Sequence, residues 1–155
     1  MPHSKEDDAR NVVLNTMDMP FTEYALDAEA MAKWDTLIAL RNDVNGVLEL
    51  ARTEKRIGKP LDASVVLHAS GEASSALESV RSMNLSELFI VSNCLFSDED
   101  VPGAVVGSGS AFPGLTVSVR EAEGAKCPRC WIHSEQADPE TGLCPRCSRV
   151  VASLS

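Results

Sequence analysis

Four of the five cysteines fall in two identical units, Cys127-Pro128-Arg129-Cys130 and Cys144-Pro145-Arg146-Cys147, with 13 residues between them. A two-residue gap lets both sulfurs of one turn reach a single ion, and zinc prefers a tetrahedron of thiolates at about 2.3 Å. Two such turns close the tetrahedron, so the pattern predicts one zinc on Cys127, Cys130, Cys144 and Cys147. No position is left for a reactive water, and the expected role is structural. Iron accepts the same four thiolates. Redox pairs and disulfides also use Cys-x-x-Cys, but a redox motif occurs once on a strand-to-helix turn, not twice around a polar loop.

Around this cluster lie residues with two readings each. Trp131 follows the first unit directly: exposed, it stacks on an unpaired RNA base beside Arg129; buried, it is the hydrophobic lid of the metal site. From Gly124 to Val150, Lys126, Arg129, Arg146 and Arg149 stand against Glu135, Asp138 and Glu140, a balance of +1 within a chain of net charge −9. That net charge argues against a general nucleic-acid binder, which needs clustered Lys and Arg. If RNA is touched, it is touched on this segment. A second basic group, Arg52, Lys55, Arg56 and Lys59, either complements a helix dipole or meets the RNA backbone. His133 reads as a surface residue, Cys94 as a small hydrophobe in a strand, and His3 and His68 have no catalytic spacing.

The elements that must position these groups follow from the apolar pattern. With 155 residues, 44% hydrophobic and 24% charged, the chain reads as globular. A terminal lobe of fewer than about 70 residues needs a staple, which the cysteines supply. The first ten residues are too polar for a signal peptide, and no apolar stretch approaches the roughly 18 residues of a membrane span. A reducing, cytoplasmic setting without a membrane partner is expected, and there thiols remain available to metal.

Residues 1–27, with the run Val12-Val13-Leu14 and the turn-prone Met19-Pro20, read as a lead-in. From Ala28 to Ile57, Met31, Trp34, Leu37, Ile38, Val44, Val47, Leu48 and Ala51 recur at helical steps, with Asp27 as N-cap and Gly58 and Pro60 as the stop. Leu61 to Ala69 reads as a strand, Glu72 to Ser82 as a helix, and Leu85 to Cys94 as a second, buried strand. The glycine- and proline-rich stretch Ser97 to Gly114 is expected to be a long loop, followed by a half-buried strand over Leu115 to Arg120. The fold class is α+β: a long N-terminal helix and a small mixed sheet with one packed helix over 28–123, then a C-terminal four-cysteine zinc ribbon over 124–155.

Two stretches resemble a known family. Glu49 to Ala63, preceded by Trp34-Asp35 and Leu40 to Asn45, is similar to the end of the anticodon-binding helical region of bacterial isoleucyl-tRNA synthetases. Lys126 to Trp131 with Leu143 to Val151 resembles the terminal zinc finger that those enzymes share with formamidopyrimidine-DNA glycosylases. The resemblance runs over about residues 11–151. It implies that the segment contacts the anticodon stem and loop of isoleucine tRNA while a catalytic body elsewhere binds ATP and activates and transfers the amino acid. Arg129 and Trp131 are the leading RNA contacts so implied, with Lys126, Arg146, Arg149, Arg52 and Lys55 behind them. The His-x-Gly-His and Lys-Met-Ser-Lys-like motifs of such a body are absent from these 155 residues, so the chain by itself is expected to be inactive.

Two other classes compete. A DNA glycosylase of the same finger type begins Met-Pro-Glu, but here Met1-Pro2 is followed by His3, and the glutamate is lost. A zinc-stapled protein-interaction module is the other alternative.

Overall fold

The computed structural model describes residues 10–15 and 21–154. His3, Met19-Pro20 and most of the polar N-terminus lie outside the described residues. Val12–Leu14 and Thr22–Tyr24 are single 3-10 turns ahead of the first helix.

Helix α1 spans Ala28–Thr53, 26 residues or about 39 Å at 1.5 Å per residue. Asp27 caps it by accepting the Ala30 N–H at 2.8 Å. Its buried stripe is Leu37, Leu40, Val44, Val47, Leu48 and Ala51, at the three- and four-residue steps of one helical face. Met31, Trp34 and Ile38, expected on that face, are exposed instead. The first nine residues of α1 contribute nothing to the core, and Ile38 sits about 100° around the helix from Leu37.

The helix also ends four residues before Ile57. Lys55 adopts φ 57°, and the Lys55 and Arg56 N–H groups bond to the Arg52 and Ala51 carbonyls at 3.0 and 2.9 Å. These are the paired bonds of a Schellman closure, here with lysine where glycine is usual.

After a 3-10 turn at Pro60–Asp62 come β1 (Ala63–Ala69), α2 (Gly71–Leu77) and a 3-10 turn at Glu78–Val80. Then follow α3 (Leu85–Phe89), β2 (Asn93–Phe96), β3 (Val105–Ser108) and β4 (Leu115–Glu121). The sheet order is β2-β1-β4-β3. β1 and β2 are parallel with Val65 opposite Cys94, whereas β4 runs antiparallel to both its neighbours, with Val119 opposite Val65 and Val105. The α+β fold with a mixed sheet is thus present. Val65, Leu67, Val117 and Val119 meet α1, Ala73, Leu77, Val80 and Phe89 in one core. The alternate positions Ser64, Val66, His68, Thr116 and Ser118 turn to the other face.

Two further expectations change. The apolar run from Leu85 is not one strand: Leu85 and Phe89, four apart, bury one side of α3, and pairing begins only at Asn93. A run this short satisfies either period. The stretch Ser97 to Gly114 is not all loop, since it contains the edge strand β3. A Cβ on Gly107 would lie 2.6 Å from Val47 Cγ2, so glycine there lets α1 lie close on that edge. Beyond β3, buried Asp43 of α1 accepts the Ser110 N–H at 2.9 Å, the Ser110 hydroxyl at 2.7 Å and the Ala111 N–H at 3.1 Å.

Candidate metal centre

Beyond β4 the chain forms a small hairpin, β5 (Ala125–Lys126) with β6 (His133–Ser134), and ends in α4 (Pro145–Ala152). The hairpin closes the first cysteine turn: the Cys127 N–H bonds to the Ile132 carbonyl and the Trp131 N–H to the Cys127 carbonyl, both at 2.9 Å. The second turn is the start of α4. Pro145 takes the first helical position, where its missing N–H costs nothing, and Cys144 and Cys147 flank it one turn apart. Between the two turns Asp138 organises the polar loop, accepting the Thr141 N–H and hydroxyl, each at 2.7 Å, and the Glu140 N–H at 3.1 Å. Those bonds hold its carboxyl below the ordinary value.

All four sulfurs lie within 4.8 Å of one another. Cys130 Sγ and Cys144 Sγ are 3.6 Å apart. Thiolates at about 2.3 Å from a common ion define a tetrahedron with edges of about 3.8 Å, so this spacing fits one metal ion. The electrostatics fit as well. Burial pushes the Cys127 thiol up, but the N–H groups of Cys130, Cys144 and Arg129 around it outweigh burial and bring it to about 6. Burial first, then the neighbouring thiols, pushes Cys147 up to about 12. One thiolate forms readily and a second beside it does not, unless a cation shares the site. Ile132 and Leu143 pack against the cysteines. Trp131 is 62% exposed, with φ 68°.

The ribbon is seated on the sheet by groups that residue spacing did not single out. Ser92 Oγ accepts the His133 N–H at 2.7 Å and donates to the Leu61 carbonyl at 2.5 Å. Asp62 Oδ1 accepts from Lys126 Nζ at 2.9 Å and lies 3.6 Å from His133 Nε2. His133 is therefore a partly buried docking residue rather than a surface one. No local pattern announces this docking role, because its partners on the body, Ser92 and Asp62, lie at least 41 residues away in sequence.

Of the candidate RNA contacts, Arg129, Arg146, Arg149 and Lys55 carry no ion pair among the described residues, and all four are exposed. Lys126 is held by Asp62 and Arg52 by Glu49, the latter at 2.7 Å. Cys94 is partly buried in β2, where burial pushes its thiol up to about 12 and leaves it unreactive. No described helix is long and apolar enough to cross a membrane.

No protein-family model matches the chain. Curated relatives do. It is 38% identical over 157 aligned residues to an isoleucine–tRNA ligase of Staphylococcus epidermidis, and 39% identical over the same span to one of Staphylococcus aureus. Each match covers 99% of this chain and 16% of the relative, so the chain spans about one sixth of the length of these enzymes. With four clustered cysteines behind a mixed sheet, and similarity along nearly every residue, the chain is a homologue of the C-terminal region of the bacterial isoleucyl-tRNA synthetases.

Proposed function

We propose that this chain is the tRNA-contacting C-terminal portion of an isoleucine–tRNA ligase, supporting ATP-dependent charging carried out by the rest of that enzyme. The carrying observation is similarity along 99% of the chain to one sixth of such ligases. The ion on Cys127, Cys130, Cys144 and Cys147 is zinc in this reading. It is structural, because four thiolates leave no open coordination position. It organises residues 124–155 as a ribbon distinct from the body at 28–123, in a cytoplasm that keeps thiols reduced.

RNA contact is assigned to the ribbon. Exposed Trp131 offers a stacking face next to Arg129, which has no ion pair among the described residues, and Arg146 and Arg149 lie one turn apart on α4. Lys126, Arg52 and Lys55 are weaker candidates, since the first two already serve Asp62 and Glu49. The second partner is the catalytic body. Met31, Trp34 and Ile38 form an exposed apolar stripe on the first part of α1, preceded by exposed Phe21 and Tyr24. Exposed apolar side chains grouped along one stripe suit a packing surface.

The test is aminoacylation by the ligase that contains this segment, carrying Arg129→Ala or Trp131→Ala, with zinc content and isoleucine activation measured in parallel. Base–aromatic stacking is worth about 1–3 kcal/mol, so Trp131→Ala should lower tRNA use by roughly one to two orders of magnitude with zinc retained. Unchanged charging by both variants would sink the RNA assignment.

A further inference from the structure

Body and ribbon meet at a hub formed by Leu61, Asp62 and Ala63. The Asp62 carbonyl accepts the Ala122 N–H at 2.8 Å, where the chain leaves β4 for the ribbon. On either side of it, the Ala63 carbonyl accepts the Ser92 N–H at 3.0 Å and the Leu61 carbonyl accepts the Ser92 hydroxyl. Both donors of Ser92 are thereby committed to the hub. The lone pairs of its Oγ remain, and one of them takes the His133 N–H at 2.7 Å.

Ser92 therefore ties the hub to β6, the second strand of the ribbon hairpin, while Asp62 ties it to Lys126 on β5, the first. A hairpin held at one strand can pivot about that point; held at both, its direction is set as well as its place. The hub is also fixed to the end of α1, since the other oxygen of Asp62 accepts the Lys59 N–H at 2.9 Å. A continuous bonded path thus runs from the end of α1 through Ser92 to His133, two residues beyond Trp131. Contacts that are weak one by one gain from such a mount, because less ordering entropy is lost when the ligand binds.

We propose that Ser92 is a positioning residue for tRNA charging: its hydroxyl sets the direction in which the ribbon presents Arg129 and Trp131. This inference rests on the RNA reading above.

In the ligase that contains this segment, Ser92→Ala removes the bonds to Leu61 and His133 and leaves the main-chain bond to Ala63. With an isoleucine tRNA transcript as probe, KM for tRNA should rise roughly three- to tenfold, the scale of one lost hydrogen bond. The kcat, isoleucine activation and zinc content should match the parent. Ser92→Thr, which keeps the hydroxyl, should bring KM back near the parent value. Because Ser92 acts through the ribbon, Ser92→Ala combined with Trp131→Ala should lose no more than Trp131→Ala alone. Losses that multiply would place Ser92 outside the path to Trp131 and overturn the proposal. A fall in zinc content or isoleucine activation alongside the change in KM would show a merely structural role and do the same. Unchanged KM for Ser92→Ala beside an impaired Trp131→Ala would overturn the positioning role and leave the RNA reading standing. If neither Trp131→Ala nor Arg129→Ala impairs charging, the RNA reading fails and this inference with it.

Discussion

Asp62, at the end of the turn before β1, accepts a hydrogen bond from Lys126 of the ribbon hairpin at 2.9 Å across 64 residues of sequence. Its other oxygen accepts the Lys59 N–H at 2.9 Å, which fixes the carboxylate on the body side. Lys126 holds the Asp62 carboxyl below the ordinary value of 3.8 against the opposing effect of burial, with Lys59 and His133 adding to the shift. A depressed carboxyl contributes stability that is present above the unfolded value and lost as pH falls through the folded one. Asp62→Asn should therefore weaken ribbon docking by about 1 kcal/mol at neutral pH, a charge-assisted bond discounted for the exposed lysine. The difference from the parent chain should disappear as pH drops below 3.8 and through the lower folded value. Amide exchange over residues 125–134 is the measurement; equal protection in both chains at pH 7 would refute the anchor.

Gly124 carries the turn that brings the ribbon back onto itself. It has φ 89°, and a Cβ there would lie 2.2 Å from the Ser134 carbonyl carbon and 2.3 Å from the Glu135 nitrogen. Both are backbone atoms that cannot swing aside. Gly124→Ala should cost about 2–4 kcal/mol or undock the ribbon. Gly46 is the control: it sits in the interior of α1, and a Cβ there would meet nothing within 4 Å, so Gly46→Ala should stabilise by about 0.5–1 kcal/mol. Thermal unfolding of the two variants should move in opposite directions.

What is legible in the sequence is what is local. The two cysteine turns bring their sulfurs together by short-range geometry, and α1 declares itself through its long apolar period and Asp27. The features that escape a reading of the sequence depend on tertiary context. Leu85 to Phe89 becomes a helix because α1 is there to receive Leu85 and Phe89. β3 hides among glycines because Gly107 answers to Val47 on a helix far earlier in the chain. The end of α1 falls short of Ile57 because Lys55 occupies a position where glycine would mark the stop. The seat of the ribbon, built from Asp62, Ser92 and His133, has no signature at any single place in the chain.

Asp43 is the one charged residue of the buried core among the described residues, and it holds the loop after β3. Its carboxylate collects both the hydroxyl and the N–H of Ser110, together with the Ala111 N–H. Asp43→Ala would leave those donors without an acceptor, at a cost of about 2–3 kcal/mol. Asp43→Asn keeps one oxygen and should lose about half as much. Denaturant unfolding midpoints decide it, and an alanine variant within about 0.5 kcal/mol of the parent chain would show that the loop is held by other contacts.

The ribbon itself has almost no core besides its sulfurs: Cys127, Cys144 and Cys147 are its buried residues, with Cys130, Ile132 and Leu143 packed against them. So small a cluster does not offset the entropy of ordering the segment, and metal binding must supply most of its folding free energy. The purified chain should carry one zinc per molecule, and chelation should unfold residues 124–150 while the sheet and α1 stay folded. Because Cys147 and Cys130 are pushed up by burial, the ion must displace protons from them at pH 7, whereas Cys127, near 6, is already mostly thiolate. Affinity should therefore rise with pH between 6 and 8, with proton release visible as a buffer-dependent binding enthalpy. Cys130→Ser should reduce zinc retention without lowering the melting temperature of the body. Less than half an equivalent of zinc in protein prepared without chelator would count against the assignment, while iron in its place would change the metal and keep the four ligands. Loss of the whole fold on chelation would show that the body depends on the ribbon, and that the Asp62 to Lys126 link carries more of the stability than its exposure suggests.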